Sequence, residues 1–128
     1  MALIFFNGQA MTGGPFHPLV AEYLVGPVRT APGHRFFSVR DVCPGLLPDP
    51  GSGSAIEGEL YDVPLEHLRD TVLPGEPPEL ELGVIALEDG TPCLSMVLRR
   101  GELERGVHRE ITGHGGWRGY LATLGRTA

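Results

Sequence analysis

Apolar and polar positions alternate most regularly over residues 55–63, AIEGELYDV. This period of two is that of a β-strand, in which successive side chains point to opposite faces. The two predicted faces carry Ile56, Gly58 and Leu60 on one side and Glu57, Glu59 and Tyr61 on the other. A short apolar run over residues 2–6, stopped by Asn-Gly, predicts a second strand, buried and entering a tight turn.

Two pairs of further strands are predicted to form hairpins. Residues 19–30 mix β-branched and aromatic side chains, and an Ala-Pro-Gly turn is predicted to join them to a strand at 35–39. The second hairpin pairs residues 82–87 with residues 93–98, because the Asp-Gly between them is a strong turn signal. The Pro/Gly/Ser-rich stretch 43–54 predicts a surface loop.

Helical periodicity is confined to two short segments. Pro64 and the spacing of the apolar residues that follow it predict an amphipathic helix ending before Pro74. Near the C-terminus, Thr112 is predicted to cap a helix with apolar positions at Trp117, Tyr120, Leu121 and Leu124. Strands that outnumber short helices predict an α+β fold.

Composition narrows the function classes. The chain has the length of a single domain, 1–128, and a hydrophobic fraction of 41% is typical of a globular protein. A formal charge of −6 disfavours nucleic acid as a partner. The apolar start of the chain is too short and lacks the basic flank of a signal peptide or membrane span, so we predict a cytoplasmic protein.

Metal chemistry is not predicted. Cys43 and Cys93 are isolated and are interpreted as two free thiols, and the five histidines show no metal-ligand spacing. We therefore expect neither a metal site nor an organic cofactor.

Three segments together resemble the γ-glutamylcyclotransferase-like (AIG2-like) superfamily, and most specifically the C-terminal domain of allophanate hydrolases. Residues 6–16, FNGQAMTGGPF, are similar to its strand and glycine loop of the form G-x-x-L-x-G-x-P-L. Residues 56–61, IEGELY, resemble its I-E-x-E-x-W strand. The third segment runs from Pro77 to Leu121 and resembles its P-x-x-L-x-x-G and D-G landmarks, followed by its I-T-x-x-G-G-W-x-x-Y-L ending at residues 111–121, ITGHGGWRGYL.

The resemblance implies a small mixed β-barrel with flanking helices and a pocket beside the glycine loop. It also implies that the amidase of the parent enzymes lies in a separate domain. The decarboxylating role ascribed to the allophanate hydrolase domain involves a loop histidine, and Ala10 stands at that position here.

Two positions carry the predicted chemistry. The amide N–H groups of the turn Asn7, Gly8, Gln9, Ala10 and Met11 are predicted to converge on a carboxylate or amide oxygen, although a plain strand-ending turn has the same sequence pattern. Glu76, on a stiff loop between Gly75 and Pro77-Pro78, resembles the acid/base glutamate of the cyclotransferases. A solvated loop carboxylate is the alternative.

Three more side chains are candidates for substrate contact. Glu59 and Tyr61 share one face of the alternating strand, which faces either a polar pocket or water. Arg118 is an isolated cation that suits a substrate carboxylate, whereas most arginines neutralise nearby surface acids.

Two functions follow as hypotheses. The first is a metal-independent acid/base enzyme that acts on a small carboxylate, either a γ-glutamyl compound or one derived from urea or allophanate. The second is a non-catalytic binding or oligomerisation module that accompanies a separate amidase or forms a homo-oligomer.

Overall fold

Eight strands form two sheets in the computed structural model, which describes residues 1–127. The strands are β1 (Ala2–Phe6), β2 (Leu24–Arg29), β3 (His34–Val39), β4 (Cys43–Pro48), β5 (Glu57–Val63), β6 (Leu80–Ala86), β7 (Pro92–Leu98) and β8 (Arg109–Glu110). With two short α-helices, the fold is of the mixed α+β class predicted from the sequence.

The larger sheet has the order β2-β5-β1-β7-β6. β1 lies at its centre, antiparallel to β5 and parallel to β7, and β6 and β7 form the predicted antiparallel hairpin. A single bridge between Thr30 and Leu87 brings the two edges of this sheet together at one end. The sheet is therefore curled, but it does not close into the barrel that the family resemblance implied.

The smaller sheet has the order β4-β3-β8 and corrects two predictions. β2 and β3 belong to different sheets, so the hairpin predicted across Ala-Pro-Gly is not formed. Residues 43–48, predicted as surface loop, are strand β4, with Leu46 fully buried. The prolines of β4 are compatible with a strand because β4 lies at a sheet edge, where a missing N–H costs no ladder bond.

The helices are short and irregular. α1 (Leu65–His67) continues into a π-helical turn, Leu68–Val72, which is followed by a 3-10 turn, Leu73–Gly75. α2 (Trp117–Thr123) packs its aromatic face into the core, with Trp117 and Tyr120 each 2% exposed. Within residues 1–127, no helix combines the length and apolar content required to cross a bilayer.

Thr112 does not cap α2. Its hydroxyl accepts a hydrogen bond from Phe36 N–H at 3.0 Å and donates one to Glu110, so it joins the C-terminal segment to β3 instead. Gly116 precedes α2 and makes no side-chain cap. The capping prediction was wrong because a 3-10 turn, Thr112–His114, intervenes between the threonine and the helix.

Candidate functional site

A cavity of about 170 Å³ opens where β1 ends. It is bordered by the loop that follows β1, by the residues between the π-helical turn and β6, and by the start of β4. Apolar side chains from two separate core clusters form its walls: Phe6, Val20 and Val72 from one, and Cys43, Leu80 and Met96 from the other. At about 30 Å³ per water molecule, the cavity suits a ligand of few heavy atoms.

The loop after β1 presents unpaired hydrogen-bond donors. Among the described residues, the amide N–H groups of Gly8, Gln9 and Ala10 donate to no acceptor, and the side-chain Nδ2 of Asn7 is buried without a partner. The loop is closed by its own backbone, since Met11 N–H donates to Gly8 O at 3.1 Å. All four residues from Asn7 to Ala10 line the cavity.

Gly8 is required by the approach of the loop to β4. A Cβ atom built on Gly8 lies 2.6 Å from Pro44 Cδ, which is closer than carbon atoms approach in folded proteins. The absence of a side chain thus allows the loop to lie against β4 and to form one wall of the cavity.

Of the residues that the structure describes, 1–127, Glu76 is the only acidic one that lines the cavity. It follows the 3-10 turn and precedes Pro77, and its own N–H donates to Leu73 O at 3.1 Å. Burial raises the pKa of its carboxyl group to about 7. Within residues 1–127, no side chain or backbone group donates a hydrogen bond to this carboxyl group, so it is available to a bound ligand.

Met11, Glu59, Tyr61 and Arg118 do not line the cavity. Met11 is 2% exposed and belongs to the hydrophobic core. The other three form hydrogen bonds or ion pairs that hold the loop after β1. The structure therefore separates the predicted substrate-binding residues into a group at the cavity and a group that supports it.

Glu59 is the centre of the supporting group. Its Oε1 accepts hydrogen bonds from Thr12 N–H at 2.6 Å and from the Tyr61 hydroxyl at 2.8 Å, while Arg118 lies 3.5 Å from Oε2 and also donates to Thr12 O. Burial alone raises the pKa of Glu59, but these hydrogen bonds and the charge of Arg118 outweigh it and hold the pKa below its ordinary value. Glu59 is thus an ionised, almost fully buried carboxylate that anchors the loop.

His17 completes this support and was not identified from the sequence. Its Nδ1 lies 3.0 Å from both Ala10 O and the Tyr61 hydroxyl oxygen. Because the tyrosine proton is donated to Glu59, the histidine Nδ1 must carry a proton and donate. The only signal in the sequence is that His17 lies in the glycine loop, six residues after Met11. That position allows its side chain to contact an earlier residue of the same loop.

Replacing Glu59 with glutamine should loosen the loop and weaken the fold. We expect a loss of about 1–3 kcal/mol in the free energy of unfolding at pH 7, because an anionic acceptor with two donors is replaced by a neutral one. The pKa of Glu59 is lowered by folding, so its contribution is present above the unfolded pKa and is lost as the pH falls through the folded one.

Urea unfolding as a function of pH measures this effect. The wild type and Glu59→Gln should converge in acid and diverge towards neutral pH. Glu57→Gln, which changes an exposed carboxylate of the same strand, is the matched control. Equal stability of wild type and Glu59→Gln at pH 7 would contradict the anchoring role.

No group of three or more histidine, cysteine, aspartate or glutamate side chains within residues 1–127 has an arrangement that could hold a metal ion. The two free cysteines lie apart: Cys43 at the cavity, and Cys93 in a different cluster of the core. Burial raises the pKa of both thiols, that of Cys93 to about 11.

Comparison with known proteins agrees with the resemblance found in the sequence. The family model of the allophanate hydrolase C-terminal domain matches residues 2–122. The uropathogenic E. coli-specific protein c4763 has a similar structure, with 30% identity, a TM-score of 0.85, and coverage of 94% of this chain and 95% of that one. No curated protein matches the chain significantly.

Two further proteins, one of them much longer than this chain, have similar structures at lower sequence identity. Allophanate hydrolase of Kluyveromyces lactis matches 96% of this chain with 24% identity and a TM-score of 0.85. The match covers only 21% of that enzyme. An AIG2-like protein from Mus musculus matches with 23% identity, a TM-score of 0.62, and 76% coverage of both chains. At these identities the likeness shows a common fold.

Proposed function

Because this chain belongs to the allophanate hydrolase C-terminal domain family, we propose that it is a metal-independent acid/base enzyme acting on a small carboxylate-bearing substrate of γ-glutamyl or urea/allophanate type. One observation carries the proposal. Glu76, whose pKa is raised to about 7, lines the same small cavity as Gly8, Gln9 and Ala10, whose amide N–H groups have no partner within residues 1–127. A proton carrier and potential oxyanion donors thus come from residues that border one cavity.

Cyclisation of a γ-glutamyl substrate needs no further reagent, whereas hydrolysis of an allophanate-type substrate consumes one water molecule. In a γ-glutamyl substrate, the amine nitrogen attacks the γ-carbonyl carbon, a carbon–nitrogen bond forms, and the carbonyl oxygen becomes an oxyanion. The N–H groups of Gly8, Gln9 and Ala10 would receive that oxygen. Ionised Glu76 takes the proton of the attacking amine and returns it to the departing nitrogen as the original amide bond breaks. The attack is intramolecular, so the cavity contributes by holding the amine and the γ-carbonyl of the substrate in the reactive orientation.

The supporting group has a structural part in this proposal. Glu59 and Arg118 hold the loop through Thr12, and Tyr61 holds it through its hydrogen bond to Glu59 and its contact with His17, which donates to Ala10 O. None of the three lines the cavity. We therefore assign them to the positioning of the N–H groups rather than to substrate contact.

A non-catalytic module is the second candidate. A similar domain forms part of allophanate hydrolase and of urea amidolyase in Kluyveromyces lactis, where this chain covers 21% and 8% of the respective proteins. In addition, Ala10 provides no imidazole at the loop position where the family resemblance implied a histidine. This candidate predicts that the protein binds an amidase, or itself, and turns over no small molecule.

The pH dependence of turnover tests the enzymatic proposal. As the base, Glu76 must be ionised in the free enzyme. Once kcat/KM is divided by the fraction of substrate amine that is neutral, it should rise with pH through a midpoint near 7, the value to which burial raises the pKa of Glu76. The assay is release of the amine or of ammonia from γ-glutamyl amides, allophanate and related acids, measured from about pH 5 to 8. Absence of turnover across this panel, together with formation of an amidase complex, would favour the module.

A further inference from the structure

We propose that the cavity is a binding site for a small apolar amine, with Glu76 as the counter-ion of its ammonium group and with Phe16 and Leu19 against its hydrocarbon chain. The inference deepens the proposed function, in which the departing nitrogen of the substrate meets Glu76, because it states what that nitrogen carries. Binding of the free amine requires no turnover, so the two proposals can fail separately.

The carboxyl group of Glu76 is unpaired but not sealed. Burial is the cause of its raised pKa, and no hydrogen bond or charge within residues 1–127 contributes to the shift. The side-chain atoms of this part of the chain that are both sealed from solvent and unpaired are Asn7 Nδ2 and Glu79 Oε1. The carboxyl oxygens of Glu76 therefore keep accessible surface, and the residue lines the cavity. An ionised carboxylate only accepts hydrogen bonds, so its partner must be a donor that the ligand brings.

The charges around Glu76 favour a cation as that donor. Cys43 on β4 is the other ionisable residue at the cavity, and burial raises the pKa of its thiol, which keeps it neutral. Arg40 is near this thiol but forms an ion pair with Glu79, and neither of the two lines the cavity. Of residues 1–127, no arginine, lysine or histidine lines it. Above pH 7 the cavity thus has one negative charge without a counter-ion, which attracts an ammonium group and repels a carboxylate.

The opening of the cavity is apolar. Phe16 and Leu19 line the cavity although they are 49% and 48% exposed, so they lie where it meets solvent. Further inside, Val20 and Leu80 are buried and also line it. A hydrocarbon chain that extends from the cavity removes the surface of Phe16 and Leu19 from water, whereas a second charged group would leave both exposed. An amine with an apolar substituent therefore fits the carboxylate and the walls together.

Isobutylamine, isobutanol and isovalerate form a matched set of probes, because they share an isobutyl group and present a cation, a neutral group and an anion. Binding is followed by NMR titration up to about 50 mM, at pH 8 and constant ionic strength. At this pH Glu76 is largely ionised and the amine is protonated. We expect isobutylamine to bind about tenfold more tightly than isobutanol, and isovalerate to bind most weakly.

The preference for the amine should disappear in acid. At pH 5 Glu76 is neutral, so the ammonium group would lose its hydration without gaining a counter-ion. The affinity for isobutylamine should therefore fall about tenfold or more between pH 8 and pH 5, while that for isobutanol stays the same. Cys43 does not titrate in this range, because its pKa is raised above its ordinary value.

Two variants separate the counter-ion from the apolar opening. Glu76→Gln should lose the preference for isobutylamine at pH 8 yet bind isobutanol as the wild type does, which shows that the cavity is intact. Phe16→Ser should weaken isobutylamine binding about threefold or more at pH 8. Val107→Ser is the control, because Val107 is also apolar and 63% exposed but does not line the cavity.

Three results would each overturn the inference. These are binding of isobutanol or isovalerate as tight as that of isobutylamine at pH 8, undiminished amine affinity in a folded Glu76→Gln protein, and no binding of any of the three probes. Turnover of a γ-glutamyl amide by a protein that binds no isobutylamine would retain the proposed function and end this inference. Amine binding without turnover of any substrate would do the reverse.

Discussion

Glu76→Gln should abolish turnover and at the same time make the protein more stable at pH 8. Removal of a general acid/base lowers kcat by about 10²–10⁴-fold, because glutamine has the shape of glutamate but carries no transferable proton. The stability gain follows from the pKa of Glu76, which burial raises to about 7. A carboxyl group whose pKa is raised on folding stabilises the protein below its unfolded pKa, and this contribution is lost as the pH rises through the folded one.

The stability gain follows from the size of the pKa shift. A rise from 4.5 to about 7 corresponds to about 3 kcal/mol between acid and alkaline pH, as an order of magnitude. Wild type and Glu76→Gln should therefore have equal stability near pH 4, and the variant should exceed the wild type by up to this amount at pH 8. At pH 8 the ionised carboxylate of Glu76 would destabilise the fold. A glutamate at this position is therefore better explained by a role in function than by a role in stability.

Steady-state kinetics and urea unfolding at pH 4 and pH 8 provide the two readouts. Glu66→Gln changes an exposed carboxylate of the neighbouring helix and should leave both unchanged. Full activity in Glu76→Gln would remove the catalytic assignment. A variant less stable than the wild type at pH 8 would show instead that the carboxylate is held by contacts that favour its charge.

The elements with a clear local period were predictable from the sequence. The β6–β7 hairpin has an Asp-Gly signal and pairs as predicted, and the alternating segment is β5. β4 was missed because its prolines and glycine predict a loop, and because its hairpin with β3 carries no turn signal. The three-residue connection includes Arg40 and Asp41, both at positive φ, where asparagine or glycine is usual.

The candidate site was predictable only in part, for a reason visible in β5. Strict alternation usually marks a strand with one face in water, and it left open whether Glu59 and Tyr61 face a pocket. β5 instead lies between β1 and β2, and Gly58, Glu59, Leu60 and Tyr61 are all buried. No described residue of β5 lines the cavity, and Glu59 and Tyr61 meet the folded-back glycine loop instead. How that loop folds back is a tertiary property without a local period.

Gly14→Ala should disrupt the loop that carries the unpaired N–H groups. A Cβ atom built on Gly14 lies 2.2 Å from Gln9 O and 3.0 Å from Met11 O, and both are backbone atoms that no side-chain rotation can move. Gln9 O also accepts the hydrogen bond from Phe16 N–H that closes the loop, so relief of the clash breaks this closure. Glycine is needed here for the close approach of two backbone segments, since Gly14 has no positive φ.

The expected cost of this substitution is about 2–4 kcal/mol in the free energy of unfolding, with loss of ligand binding and of turnover in whatever fraction remains folded. Gly113→Ala is the matched control, because a Cβ atom there meets nothing within 4 Å and the backbone has no positive φ. Chemical denaturation measures the stability of both variants, and the release of amine or ammonia measures their turnover. A Gly14→Ala protein that is as stable and as active as the wild type would mean that neither the fold nor turnover depends on the conformation of residues 9–14.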